Sequence, residues 1–132
     1  MHALRRLRGC RSGSTSVEFA IISLVLVLVT LGIVEFGRGL NLRNQLSHAA
    51  DFGARKILTD RNSSDRTLES VVRSAFMAAS PDKLKITVGT ETVGGVQFRT
   101  IALTYPLELL VPGLSDGVIN LSLARRTPLV GA

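Results

Sequence analysis

The sequence predicts an α+β protein: a single N-terminal transmembrane helix continuing into an amphipathic stem, then a small antiparallel β-meander head with one short helix. Three observations predict it. An uncharged aliphatic run, Phe19 to Val34, follows four arginines at the start of the chain. A stripe of apolar and small residues at helical spacing runs from Leu42 to Ile57. Beyond it, two strand-like runs flank a Gly-Gly pair, and a third follows later.

At 132 residues the chain has room for one small domain. Apolar residues make up 45% and aromatics only 5%, with no Trp, so the positive mean hydropathy of +0.31 is aliphatic in origin. That content excludes a disordered chain, and a single cysteine excludes a disulfide scaffold. The formal net charge is +6, but Arg5, Arg6, Arg8 and Arg11 supply +4 of it within residues 1–13, which hold no acid. Nucleic-acid binding needs cations on a folded face, ideally with stacking aromatics. Arginines placed just before an apolar run instead mark the end that stays in the cytoplasm. Neither a nucleic acid nor a small-molecule substrate is expected as a partner; the lipid bilayer is.

The run Phe19–Val34 is 16 residues long, about 24 Å as a helix, against a hydrocarbon core of about 30 Å. Extension to Val17–Phe36 gives 20 residues and places Glu18 and Glu35 at the two boundaries. A carboxylate there avoids most of the roughly 2.5–3.5 kcal/mol that charge costs at mid-bilayer. In lipid only helices and closed barrels satisfy the backbone, so the many β-branched residues do not argue for a strand. A removable signal peptide would end in a small-residue cleavage site. Here the far end, Gly32-Ile-Val-Glu-Phe-Gly-Arg-Gly39, carries Glu35, Phe36 and Arg38 near any cut. The helix is therefore expected to be retained. Leu7-Arg8-Gly9-Cys10 has the outline of a lipid-attachment box, but it precedes the apolar segment and is set aside.

Past the membrane, Leu42, Leu46, Ala49, Gly53 and Ile57 step by three or four, which is one helical stripe. Arg38, Asn41, Gln45, His48 and Arg55 form the polar one. Gly32, Gly37 and Gly39 each weaken the helix by about 1 kcal/mol relative to Ala. The stripe has two readings: packing on its own domain, or packing on neighbouring subunits. The small residues Ala49, Ala50, Gly53 and Ala54 would permit close approach in either.

Thr59–Asp65 reads as a polar loop. Leu68, Val71, Val72, Ala75, Phe76 and Ala79 give an amphipathic helix, capped by Asp65 and stopped before Pro81. Leu84–Thr92 and Val96–Tyr105 are strands joined at Val93-Gly-Gly95. Leu107–Gly113 is expected to be irregular, with a third strand at Val118–Arg125. The apolar segment Leu107–Leu114 either folds inward over the sheet or forms an exposed patch for a partner or the membrane surface. A head of about 70 residues has a marginal core by itself.

No catalytic constellation stands out. His2 and His48 have no ligand-spaced companions, Cys10 is a lone thiol, and no Ser-His-Asp pattern or phosphate-cradling loop occurs. Neither enzyme activity, a metal nor a cofactor is expected.

The junction before the apolar run is the specific feature. Thr15-Ser-Val-Glu18 matches a helix capping box, and Gly13 could be a hinge. However, an arginine-rich leader, Gly13, four residues, Glu18-Phe19 and then an aliphatic helix resemble the processing site of type IV prepilins. The chain more closely resembles the TadE-like pseudopilins of the tight-adherence (Flp) pilus machinery. The resemblance is carried by Ser16-Val-Glu-Phe-Ala20, Leu31-Gly-Ile-Val-Glu-Phe-Gly-Arg38, Asn44-Gln-Leu-Ser-His-Ala-Ala50, Gly53-Ala-Arg55 and Leu103-Thr-Tyr-Pro106.

The resemblance implies a non-catalytic role in Flp-type pilus assembly or related secretion. Gly13, Ser14, Glu18 and Phe19 would form the recognition site of a prepilin peptidase that cuts after Gly13. Glu18, then the fifth residue, would pair with the N-terminal ammonium of a neighbouring subunit. Leu42, Leu46, Ala49, Ala50, Gly53, Ala54 and Ile57 would pack the stem. The expected organisation is a cleaved basic leader (1–13), a transmembrane helix (14–36), a stem (37–58) and a head (59–132). The N-terminus would be cytoplasmic and the head outside a bacterial inner membrane. Partners would be the peptidase, other pilin or pseudopilin subunits and the inner-membrane pilus or secretion platform. Two alternatives stay open: a minor pseudopilin of a type II secretion system, or a single-pass anchor whose head binds a ligand or regulates another protein.

Overall fold

The computed structural model describes residues 12–78, 80–110 and 117–129. His2, Arg5, Arg6, Arg8, Cys10, Arg11, Ala79 and Val111–Leu114, named above, lie outside the described residues. The elements are α1 (Ser12–Thr59), α2 (Asp65–Ala75), a 3-10 turn (Pro81–Lys83), β1 (Lys85–Val93), β2 (Val96–Glu108) and β3 (Val118–Pro128). This is the expected α+β composition: a long apolar helix, one short helix and a three-stranded antiparallel sheet of order β1-β2-β3. The residues group into two units divided between Phe36 and Gly37.

In the first unit α1 is apolar on all sides, and no residue of its most apolar stretch is buried. Phe19 is 71% exposed and Phe36 70%. Its hydroxyls are turned back onto the helix: Ser23 Oγ donates to the Ala20 carbonyl at 3.0 Å and Thr30 Oγ1 to that of Leu26 at 2.7 Å. Such pairing leaves no hydroxyl proton to be solvated. The capping-box expectation fails here. Helix already covers Thr15, and Ser14 Oγ instead donates to Glu18 Oε1 one turn on, at 3.3 Å.

In the second unit the core lies between the helices and one face of the sheet. Leu42, Leu46, Ala49, Ala50 and Ile57 of α1 are buried with Leu68 and Val72 of α2, Phe76, Leu84, and Ile101, Leu103, Tyr105 and Leu107 of β2. The alternation along β2 follows from the two-residue period of a strand. Cross-strand rows Ile86–Leu103–Leu123 and Val88–Ile101–Arg125 share that inner face, whereas Thr87–Ala102–Ala124 and Lys85–Thr104–Ser122 lie on the other. Phe76 packs on Tyr105 with ring centroids 5.2 Å apart.

The hairpin turn is two residues, Gly94 and Gly95, at φ of 59° and 80°. Both lie in the left-handed region that a primed two-residue turn requires and that side chains disfavour. Val93 therefore pairs with Val96 as part of the strands.

Several boundaries differ from expectation. The α2 cap is Ser64, whose Oγ accepts from the Thr67 amide at 3.2 Å, not Asp65. Serine reaches that amide from outside the helix, and Asp65 takes the favourable first-turn position for an acid. α2 ends at Ala75, so Phe76 enters the core from extended backbone. β2 runs through Pro106 to Glu108, so Leu107 is strand, not irregular loop. The ladder with β1 begins at Lys85–Thr104, so at Pro106 only β3 runs alongside. A proline lacking its amide proton is tolerated where a strand has one neighbour. β3 likewise extends to Pro128.

Candidate functional site

Gly13, Ser14, Glu18 and Phe19 all lie in the first turns of α1 and are exposed. Ser14 and Glu18 stand on one helix face, joined by the hydrogen bond described above. Among the described residues, and apart from the helix's own backbone, no atom would come within 4 Å of a Cβ added at Gly13.

The stem residues lie elsewhere, in the head. Leu42, Leu46, Ala49, Ala50, Gly53 and Ile57 are buried and Ala54 is half-buried. Gly53 is the tightest point: a Cβ added there would stand 2.6 Å from Ile101 Cδ1 and 2.7 Å from Val72 Cγ2. The sequence stripe marked this position as small. It could not show that β2 and α2 converge on it.

Ion pairs tie the elements together. Arg125 Nε of β3 donates to Asp51 Oδ1 of α1 at 2.8 Å. Arg99 of β2 pairs with Asp65 at the start of α2, and Arg126 of β3 with Glu91 of β1 at 3.3 Å. Arg73 of α2 donates to the carbonyls of Pro81 at 2.7 Å and Leu84 at 3.3 Å, fastening the helix to the strand entry. Lys83 pairs with Glu108. That hydrogen bond holds the Glu108 carboxyl below the ordinary glutamate range and raises the Lys83 ammonium above its ordinary value.

His48 is exposed and stacks on Phe52 at 5.8 Å. Both line a groove of about 540 Å³ with Asn44, Gln45, Val71, Ser74, Ala75 and Met77. Its walls are mostly apolar, with Asn44, Gln45, His48 and Ser74 as the polar groups along it. Sequence spacing put His48 and Gln45 on the polar stripe and gave no sign that α2 would wall them in. Among the described residues no three His, Cys, Asp or Glu side chains are grouped to hold a metal.

The fold defines a class: a small α+β protein whose N-terminal helix is long and apolar enough to cross a membrane, compatible with a single-pass membrane protein. Residues 13–55 match the family model described as TadE-like protein, as the sequence motifs in that stretch led us to expect. The matched stretch is α1 without its ends, so it takes in the junction, the apolar run and most of the buried stem. The family so described points to Tad (Flp) pilus assembly and to other pilus components. Comparison with curated proteins and with solved structures gives no match.

Proposed function

We propose that this chain is a TadE-like minor pilin or pseudopilin that supports assembly of a Flp-type pilus or a related secretion machine. A prepilin peptidase removes residues 1–13 on the cytoplasmic side, leaving Ser14 as the N-terminus. Helix 14–36 then spans the inner membrane, residues 37–58 form the stem, and the head lies outside. The observation that carries this reading is the family match across 13–55, on a helix whose most apolar stretch is unburied among the described residues. A helix that is hydrophobic all round belongs in lipid or among other helices.

Glu18 supplies the specificity. Among packed apolar helices an unpaired carboxylate is costly, and a neighbour's ammonium at Ser14 relieves that cost only at the correct stagger. The stem residues Leu42, Leu46, Ala49, Ala50, Gly53, Ala54 and Ile57 act one step back, by holding the head to the helix. The peptidase, other pilin or pseudopilin subunits and the inner-membrane platform are the partners of this reading.

The experiment is the N-terminal residue of the protein isolated from its native membranes with the peptidase active. Ser14 supports the reading. Met1 at the start of the mature chain overturns it and leaves a membrane-anchored small domain.

A further inference from the structure

The apolar segment Leu107–Leu114 is described as far as Leu110. Leu107 is buried in the core, whereas Leu110 is 55% exposed. What surrounds Leu110 at that end of the sheet is informative.

β2 runs alongside the stem in a fixed register. Ile101 meets α1 at Gly53, and Leu107 meets it at Gly39, where an added Cβ would lie 3.6 Å from Leu107 Cδ2. Six residues of strand span about 20 Å and fourteen of helix about 21 Å, so strand and helix advance together in opposite directions. The C-terminal end of β2 therefore reaches the first turn of the stem. Arg38 Nη1 donates to the Glu108 carbonyl there at 3.5 Å. Arg38 follows Phe36, the last residue of the apolar segment, by two positions.

This end of the head is also greasy. Leu40, Val118 and Ile119 are 45%, 43% and 44% exposed, and they lie on the stem turn and on the β3 residues paired with Leu107 and Glu108. Arg38 and Lys83 stand among them, and Lys83 provides the counter-ion of Glu108. Aliphatic side chains beside long side chains with apolar stems and polar tips, the Lys83–Glu108 pair neutral as a unit and Arg38 adding one positive charge, fit the boundary between acyl chains and headgroups.

We infer that the β2–β3 end of the sheet, with Leu40, is a membrane-seating face that rests in the interfacial layer of the bilayer crossed by helix 14–36. This rests on the membrane-spanning reading of that helix. The occupant is a lipid surface, because Arg38 and Leu40 follow the last residue of the apolar segment, Phe36, by two and four positions in the chain. Val93 and Val96 are exposed to a similar degree, but they sit at the opposite end of the β1–β2 hairpin. They serve as the internal control.

The chain contains no Trp, so one substitution gives an unshared fluorescent reporter. The full chain is reconstituted into vesicles of phosphatidylethanolamine and phosphatidylglycerol, with or without lipid brominated on its acyl chains. Three variants are compared after circular dichroism confirms equal secondary structure: Leu110→Trp, Val96→Trp and Val27→Trp. Expected is a blue shift and loss of emission with brominated lipid for Leu110→Trp and Val27→Trp, and quenching by aqueous iodide for Val96→Trp. Ile119→Trp replaces Leu110→Trp if the latter does not fold, with the same expectation. If Val27→Trp is quenched by lipid but Leu110→Trp only by iodide, the seating face is overturned while the span survives. If Leu110→Trp is shielded from iodide without lipid quenching, a protein neighbour covers it and the inference is likewise overturned. If Val27→Trp escapes lipid quenching, the spanning reading fails and takes this one with it.

Discussion

Gly53 and Ile101 meet where the stem of α1 packs along the central strand: a methyl group added at Gly53 would lie 2.6 Å from Ile101 Cδ1. The absence of a side chain there lets helix and sheet close on each other around Leu46, Ala49, Ala50 and Val72, all fully or almost fully buried.

Gly53→Ala is accordingly expected to destabilise the head. Alanine gains about 1 kcal/mol in helix propensity, but overpacking at a site bounded by Ile101 and Val72 costs about 1–3 kcal/mol. Gly37→Ala meets nothing within 4 Å and keeps the propensity gain. Denaturant unfolding of the full chain in detergent should give a lower midpoint for the first variant and an equal or higher one for the second. The reverse order would contradict the packing described.

Arg73 should matter more than an exposed arginine does. Its guanidinium satisfies the carbonyls of Pro81 and Leu84 just before β1, and hydrogen bonds from charged donors contribute about 1.5–3 kcal/mol. Arg73→Met, which keeps the aliphatic stem, is expected to lower stability by about that amount. It should also speed amide exchange between Ser80 and Ile86. A variant indistinguishable from wild type in both would remove the staple from this account.

The Lys83–Glu108 pair sets a pH window. Glu108 is held below its ordinary range, so its contribution is present above the unfolded-state value and is lost as pH falls through the folded one. Lys83 is raised, so its contribution is present below the unfolded-state value and disappears as pH rises through the folded one. The contact is thus complete from weakly acidic to moderately alkaline pH. Carbon-detected titration should show the Glu108 carboxyl returning to the ordinary glutamate range in Lys83→Met. An unchanged titration would show that the lysine is not the cause.

Glu18→Ala tests the assembly reading, with the mature N-terminal residue determined alongside because Glu18 also belongs to the expected peptidase site. An unpaired charge left among apolar helices costs about 3–5 kcal/mol, and the variant removes both the charge and the pairing that fixes stagger. Loss of co-purifying pilus subunits is the expected outcome, and it is read on the fraction of the variant whose N-terminus is Ser14. Normal subunit association would exclude Glu18 from the contact.

Sequence patterns with a local cause were legible. Hydrophobic periodicity marked Leu42, Leu46, Ala49, Gly53 and Ile57 as one helix face, and Gly94-Gly95 marked the hairpin, because each depends on the geometry of a few adjacent residues. Element ends were less so. Ser64 and Asp65 are both competent caps, and which one serves depends on the chain's exit from Asp60 to Ser63. Pro106 read as the end of a strand, since a proline in a central strand loses a ladder bond. Only the register shows that β1 has not yet begun alongside it.

The sequence by itself determined an apolar helix without charge, a family motif at its start, and the inward faces of stem and sheet, because these are properties of composition and period. The tertiary structure decided what those faces meet. It set Ile101 against Gly53 and Leu107 against Gly39, brought Arg125 to Asp51, and gave the end of β2 its place beside Arg38. Contacts between residues 48 to 74 positions apart are fixed by the closure of helix on sheet, and no local pattern encodes that distance.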